Sequence, residues 1–190
     1  SAYHNAFEST FSQANVFLEN RADSSDYGFW LGYSTGNTVE GNIILGSRSV
    51  GIAIEHGATN RLLTNMVMGG KTGILLFIRD SNGPASRDYV IDGNTIAGVT
   101  RGLVLRRTAH ARVRGNTFDG VDEGIVADST ARDAQVTGNV FLRAQQYFIV
   151  APSLTAGSNY WAAATEAEAM ARVKGAVVLT PWFPASAVGY

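Results

Sequence analysis

Cysteine is absent from the 190 residues, which excludes disulfides and thiolate-held metals without fixing a compartment. No stretch reaches the roughly 18 consecutive apolar residues of a membrane-spanning helix, and the chain opens on no signal-peptide pattern, as a mature secreted domain also would. Neither sign of charge prevails: 15 basic and 16 acidic residues are scattered without a long run, giving a net charge of -1. Such a balance leaves no electrostatic footprint for nucleic acid or for an anionic membrane, so neither is expected as a partner. Proline is scarce, at four residues against 21 glycines, and the glycines follow no three-residue period. That excludes collagen and suits many short strands joined by tight turns. The length fits one domain with a substantial core.

What is present is a repeat. Glycine followed by apolar-x-apolar recurs at Gly28, Gly51, Gly73, Gly102 and Gly124, with Ala6 and Tyr147 opening weaker copies at either end. A second beat falls at Asn20, Asn42, Asn65, Asn94, Asn116, Asn139 and Asn159, at spacings of 22, 23, 29, 22, 23 and 20 residues. A unit this short cannot bury its own apolar face and must stack on copies of itself. The alternation predicts strands with Phe29 and Leu31, Ile52 and Ile54, Ile74 and Leu76, Leu103 and Leu105, Ile125 and Ala127, and Phe148 and Val150 facing inward. Around the Asn beat, Phe17, Val39, Leu62, Ile91, Val113 and Val136 precede by three, while Ile44, Val67, Ile96, Phe118, Phe141 and Trp161 follow by two. Both sets should join the same core. The fold class is therefore all-β, a right-handed parallel β-helix of about seven coils over residues 1–159. Leucine-rich and helical repeat consensus patterns do not occur.

The Asn column reads first as architecture, because Asn tolerates left-handed backbone and its amide can ladder from coil to coil. Asn15, Asn37 and Asn60 predict a shorter ladder at another corner, and the strand-opening glycines predict tight corners. The long interval between Asn65 and Asn94 places an inserted loop at 79–88, a common position for binding chemistry in a solenoid. After Asn159, helix formers over 163–174 with early acids and late bases, then a strand at 176–180 and the apolar Pro181-Trp182-Phe183-Pro184, predict a cap over 160–190 within the same domain. Ser1 to Asn15 already follows the repeat. An N-terminal β-helix extension, or another copy of the chain, is thus expected to stack on the first coil.

The recurring Gly-Ile-x-Ile and Gly-Asn-x-Ile/Phe phrases, Ser158-Asn159-Tyr160-Trp161 and the terminal Thr180-Pro181-Trp182-Phe183 resemble right-handed parallel β-helix repeat proteins of the pectate-lyase-like superfamily, including the NosD-like carbohydrate-binding and sugar-hydrolase repeats. The resemblance covers nearly the whole chain and specifies architecture better than activity. It implies a carbohydrate-related role with a polysaccharide or oligosaccharide partner, and a secreted, cell-surface or periplasmic location.

On the outward columns, Glu55 and His56 are the sharpest pair, a carboxylate and an imidazole suited to general acid and base work, although neighbours on a strand normally face opposite ways. Trp30 and Tyr33 offer flat faces for sugar rings, with Gly32 leaving space beside them. Arg79 and Asp80 from the insertion, with Arg106, Arg107 and Asp128, bring charge for a substrate carboxylate, while an Arg106–Asp128 ion pair between coils is the plainer account of those two. The apolar third-position column of Ala53, Leu75, Val104, Val126 and Ile149 should be covered by something. His4, His56 and His110 stand apart from one another and from Met66, Met68 and Met170, so no copper or zinc site and no cofactor is expected. The leading expectation is part of a polysaccharide lyase, epimerase or hydrolase. A non-catalytic glycan-binding or adhesive module, or an assembly unit stacking through its first coil, are the alternatives.

Overall fold

Alternating apolar residues make strands that bury one face, and a short repeat closes its core only against its neighbours. The computed structural model describes residues 4–79 and 86–187, which wind into a right-handed parallel β-helix of about eight turns. Eleven strands form one long sheet and six shorter ones a second, from Val16–Leu18 to Gln135–Thr137, while Ser86–Arg87 pairs with Thr108–Ala109. The pairing is parallel and in step: Ile52 lies between Phe29 and Ile74, and Leu103 between Ile74 and Ile125. Every expected inward residue from Phe29 to Ala127 is buried, as are the apolar residues flanking the Asn beat from Val39 and Ile44 onward.

One coil departs from expectation. Irregular pairing between Phe118 and Glu123 shifts the register, so that Ile149, not Phe148, lies opposite Ile125. Phe148 and Ile149 are both buried, and Val150 is half exposed rather than inward. Phe148 takes the place of the repeat glycine: its carbonyl oxygen lies 2.5 Å from where a Cβ on Gly124 would stand.

The Asn column is a hydrogen-bonded ladder. From Asn20 to Asn139, each amide Nδ2 donates to Oδ1 of the Asn one coil on at 2.9–3.0 Å, and each backbone N–H reaches the same oxygen. Nδ2 also closes its own turn, as Asn42 does on the Glu40 and Phe17 carbonyls. Glu19, Gly41, Thr64, Gly93, Gly115, Gly138 and Ser158, each immediately before an Asn, all have positive φ. Left-handed backbone thus aims the next side chain into the coil. The shorter ladder of Asn15, Asn37 and Asn60 is also present and ends where Tyr89 replaces the next Asn, its hydroxyl donating to the Gly57 carbonyl at 2.7 Å. The strand-opening glycines have no positive φ. They are small because the coils approach closely there: a Cβ on Gly51 would lie 2.5 Å from Val67 Cγ1 and 2.7 Å from the Gly73 carbonyl oxygen.

The C-terminal segment differs in detail from the expected cap. The helix is only Glu166–Met170, capped by Thr165 and anchored by buried Ala169. The strand begins early, at Val173–Val178, and Trp182–Pro184 is itself a strand pairing with Asn159–Trp161. Gly175, with φ near 108°, ends neither helix nor strand and lies within the latter. The segment therefore continues the solenoid and adds a further turn to the coils counted from the sequence.

Candidate functional site

The strands Tyr27–Gly32, Ile43–Glu55 and Met66–Phe77 lie side by side and bury Phe29, Ile52 and Ile74 beneath them, which turns Trp30, Ala53 and Leu75 outward in one row. Trp30 is half buried. It meets Tyr27 and Phe77 edge-on, at ring-centroid distances of 4.9 and 6.0 Å. Gly32 keeps the space beside it, since a Cβ there would lie 3.4 Å from Trp30 Nε1. The Arg79 guanidinium stands 6.0 Å from the Trp30 ring centre, and its Nε is 3.3 Å from Glu55 Oε1. Glu55 lies in register between Gly32 and Phe77 and is 7% exposed. Three residues selected from the sequence, Trp30, Glu55 and Arg79, thus converge from three successive coils.

Glu55 and His56 engage different partners. His56 begins the corner, with a φ of 53°, and stacks on Tyr33 at 4.6 Å, while Tyr33 stacks on Phe11 at 5.0 Å. Phe11 and Tyr33 occupy the same left-handed corner in their own coils. Tyr33 therefore has a ring on each of its faces, and His56 is buried at the inner end of an aromatic column. This corner is the sixth position of the repeat, counted from Ala6, Gly28 and Gly51.

The remaining charged candidates are spread further along the solenoid. Arg106 and Arg107 are exposed in the next coil, and the Arg107 backbone N–H donates to Thr130 Oγ1 at 3.0 Å. Asp128 serves its own turn: its Oδ1 accepts from the Thr130 and Ala131 backbone N–H groups at 2.9 and 3.0 Å and from the Thr130 hydroxyl. Burial alone would raise this carboxyl, but the Thr130 hydroxyl and the surrounding N–H groups outweigh it and hold the group below its ordinary value of 3.8. These contacts take the place of the expected Arg106–Asp128 ion pair. Asp80 and the middle of the expected loop lie outside the described residues, whereas Ser86–Arg87 returns to the solenoid as a short strand.

The same outward face holds a groove of about 150 Å³ running from Tyr27 to Arg106. Val50, Leu75 and Val104 line it, with Lys71, Arg101 and Arg106 at its edges. In the third-position column Ala53 and Val104 are buried and Leu75 and Val126 partly so, whereas Ile149 has left the column, turned inward opposite Ile125 by the register shift. Sequence reasoning missed Tyr27, Lys71, Phe77 and Arg101 as site residues. The signal for Tyr27 and Arg101 was available in the residue before each glycine, where Tyr27, Val50, Thr72, Arg101 and Glu123 vary without a core role.

His4 sits 3.4 Å from Asp26 of the following coil, and His110 lies 3.8 Å from Asp133 in the turns that precede Arg112–Arg114 and Gln135–Thr137. Met66 and Met68 share the outward face of one strand beside Ile43 and Leu45. Among the described residues, no three His, Cys, Asp or Glu side chains gather closely enough to hold a metal ion.

A family model described as periplasmic copper-binding protein (NosD) matches residues 1–176. No curated protein and no solved structure matches the chain. The periplasmic family agrees with the extracytoplasmic placement expected from the repeat phrases, and no helix among the described residues is long and apolar enough to cross a membrane. By a match that spans residues 1–176 of 190, the chain belongs to the NosD family of parallel β-helix proteins.

Proposed function

We propose that this chain is an extracytoplasmic glycan-binding β-helix whose contact surface is the outward face around Trp30. The observation that carries this reading is the cluster of Trp30, Tyr27 and Phe77 against Arg79 and Glu55, beside the small or aliphatic Ala53, Leu75 and Val104 of the same outward row. An amphipathic ring bordered by a carboxylate and a guanidinium offers an apolar face to the C–H side of a sugar and polar groups to its hydroxyls. Arg79, 67% exposed, covers Trp30 lightly. An exposed cation–π contact is worth about 0.5–1 kcal/mol, so a sugar displaces this cover at small cost when its hydroxyls take over the Arg79 contact to the buried Glu55 carboxylate.

Copper does not fit the residues present. Thiolates are absent, the three histidines lie in separate coils with separate partners, and the Met66–Met68 pair has Ile43, Leu45, Thr95 and Ala97 as its neighbours in register. Among the described residues, then, no donor set would hold the family's copper.

Polysaccharide processing is the second reading, favoured by the placement of Glu55 between the Trp30 face and Arg79. Against it, His56 is buried and stacks on Tyr33 while Glu55 pairs with Arg79, so the two side chains have different partners. Titration of a panel of neutral and acidic oligosaccharides, followed by assays for new reducing ends and unsaturated uronates, separates the two. Binding that survives Glu55→Gln and disappears in Trp30→Ala, with no product formed, is the expected result. Product formation abolished by Glu55→Gln establishes the enzyme reading, and a silent panel discards both.

A further inference from the structure

The groove next to the aromatic cluster carries charge that the fold does not use. Lys71 lies on the strand Met66–Phe77 just before the outward row, Arg101 lies within the strand Thr95–Leu105 of the next coil and Arg106 directly follows that strand, so coil stacking brings the three to one groove. Among the described residues none of the three enters an ion pair. Other arginines do: Arg48 with Asp26, Arg79 with Glu55, Arg114 with Asp92 and Arg143 with Asp119. Glu123, the register neighbour of Arg101, does not bridge to it either. The chain as a whole is near neutral, and among the described residues Arg61, Arg107, Arg112 and Arg132 also enter no ion pair, so what sets these three cations apart is that they line one concave surface.

Between these cations the floor is apolar, with Val50, Leu75 and Val104, and Tyr27 stands at the end nearest Trp30, with which it is in edge contact. The groove is thus continuous with the aromatic cluster. A neutral ligand would leave the cations solvated and gain nothing from them. A ligand with an anionic substituent near an apolar ring face would satisfy both, and the planar guanidinium forks favour a group with two or three oxygens.

We propose that the groove bounded by Lys71, Arg101 and Arg106 binds the charged substituent, carboxylate or sulfate, of an anionic glycan whose adjoining ring lies against Tyr27 and Trp30. The proposal rests on the glycan-binding reading above and names its ligand class. It also explains why the aromatic cluster lies beside an apolar floor at one end and a cationic rim at the other.

The test measures binding of three soluble probes of similar length, a polyuronate, a sulfated glucan and a neutral glucan, by affinity electrophoresis at pH 7 and two salt concentrations. The wild type is compared with Lys71→Gln/Arg101→Gln, with Arg61→Gln/Arg112→Gln on the other sheet as an equal change of charge, and with Trp30→Ala. Thermal unfolding confirms that each variant is folded. The expected result is retardation by one or both anionic probes, weakened at least tenfold in Lys71→Gln/Arg101→Gln with a shallower salt dependence, and little changed in Arg61→Gln/Arg112→Gln. Preference between polyuronate and sulfated glucan identifies the substituent. Equal binding of neutral and anionic probes, or equal losses in the two charge variants, overturns the proposal while leaving a glycan-binding face intact. Anionic binding that needs Lys71 and Arg101 but survives Trp30→Ala upholds the groove and removes the aromatic part of the reading. No binding by any probe overturns both.

Discussion

The strand Ile43–Glu55 has two faces that obey different rules. Inward, Ile44, Ile52 and Ile54 repeat what the coils on either side do, because each must fill a space shaped by its neighbours. Outward, Ala53 and Glu55 sit between Trp30 and Leu75 and between Gly32 and Phe77, a set with no common chemistry. Stacking constrains the first face and barely touches the second. In a solenoid, then, periodicity marks the residues that hold the fold, and its local failure marks the surface free to acquire a ligand.

If that division is real, substitutions in the periodic part must cost more stability than those in the outward cluster. The largest effect is expected for Asn94→Ala. It removes the Oδ1 that accepts from the Asn65 amide and backbone N–H, and the Nδ2 that donates to the Leu62 carbonyl and to Asn116. Leaving several buried groups unpaired, at about 1–3 kcal/mol each before relaxation, should lower the unfolding free energy by about 3–4 kcal/mol in urea titration. A loss below about 1 kcal/mol would show that the ladder is ornamental.

Gly51→Ala comes next. Its Cβ would press on a backbone oxygen of the following coil as well as on Val67, so relaxation requires separating coils, and about 2–3 kcal/mol of destabilisation is expected by the same measurement. Gly36→Ala provides the contrast within one residue type. Its nearest neighbours lie 3.9–4.0 Å from the added Cβ, and only the positive φ of 64° opposes it, at about 1 kcal/mol.

On the outward face, Arg79→Ala should cost about 1–2 kcal/mol, since it removes an exposed cation–π contact and leaves the buried Glu55 carboxylate without its partner. Its larger effect should appear in glycan titration. Equal disturbance of melting and binding would mean that the cluster is a structural clamp.

The smallest effect concerns acid. The folded Asp128 carboxyl is held below its ordinary value, so its contribution is present above that value and is lost as the pH falls through the lower, folded one. Asp128→Asn should therefore be slightly less stable at neutral pH and lose less on acidification below about pH 4. An unchanged acid limb in chemical unfolding would remove Asp128 from the turn's electrostatics.

The core was legible because Gly, apolar and Asn positions recur at fixed intervals, and each recurrence has one physical cause. Val150 was misplaced, and Ile149 missed as the residue that joins Phe148 in the core, because the irregular pairing before Glu123 shifts the phase without leaving a mark in the apolar pattern. The helix was overestimated because helix formers over 163–174 compete with strand pairing, and Val173–Val178 gains more from the edge left by the preceding coil. At the surface, Trp30, Glu55 and Arg79 were identifiable as unrepeated side chains in neighbouring coils. Their partners Tyr27 and Phe77 were not, because reach across coils depends on rotamers that spacing does not encode. Tyr33 shows the same limit from the other side: the sequence offers a free aromatic face, and the corner stack of Phe11 and His56 occupies it.

The separation of fold from function is tested most directly by measuring, side by side, the melting temperature and the glycan affinity of the wild type and Trp30→Ala. The account expects the variant to melt within a few degrees of the wild type, as about 1 kcal/mol allows for a chain of this size, and to lose at least tenfold in affinity. Undiminished affinity in a folded Trp30→Ala protein would contradict it.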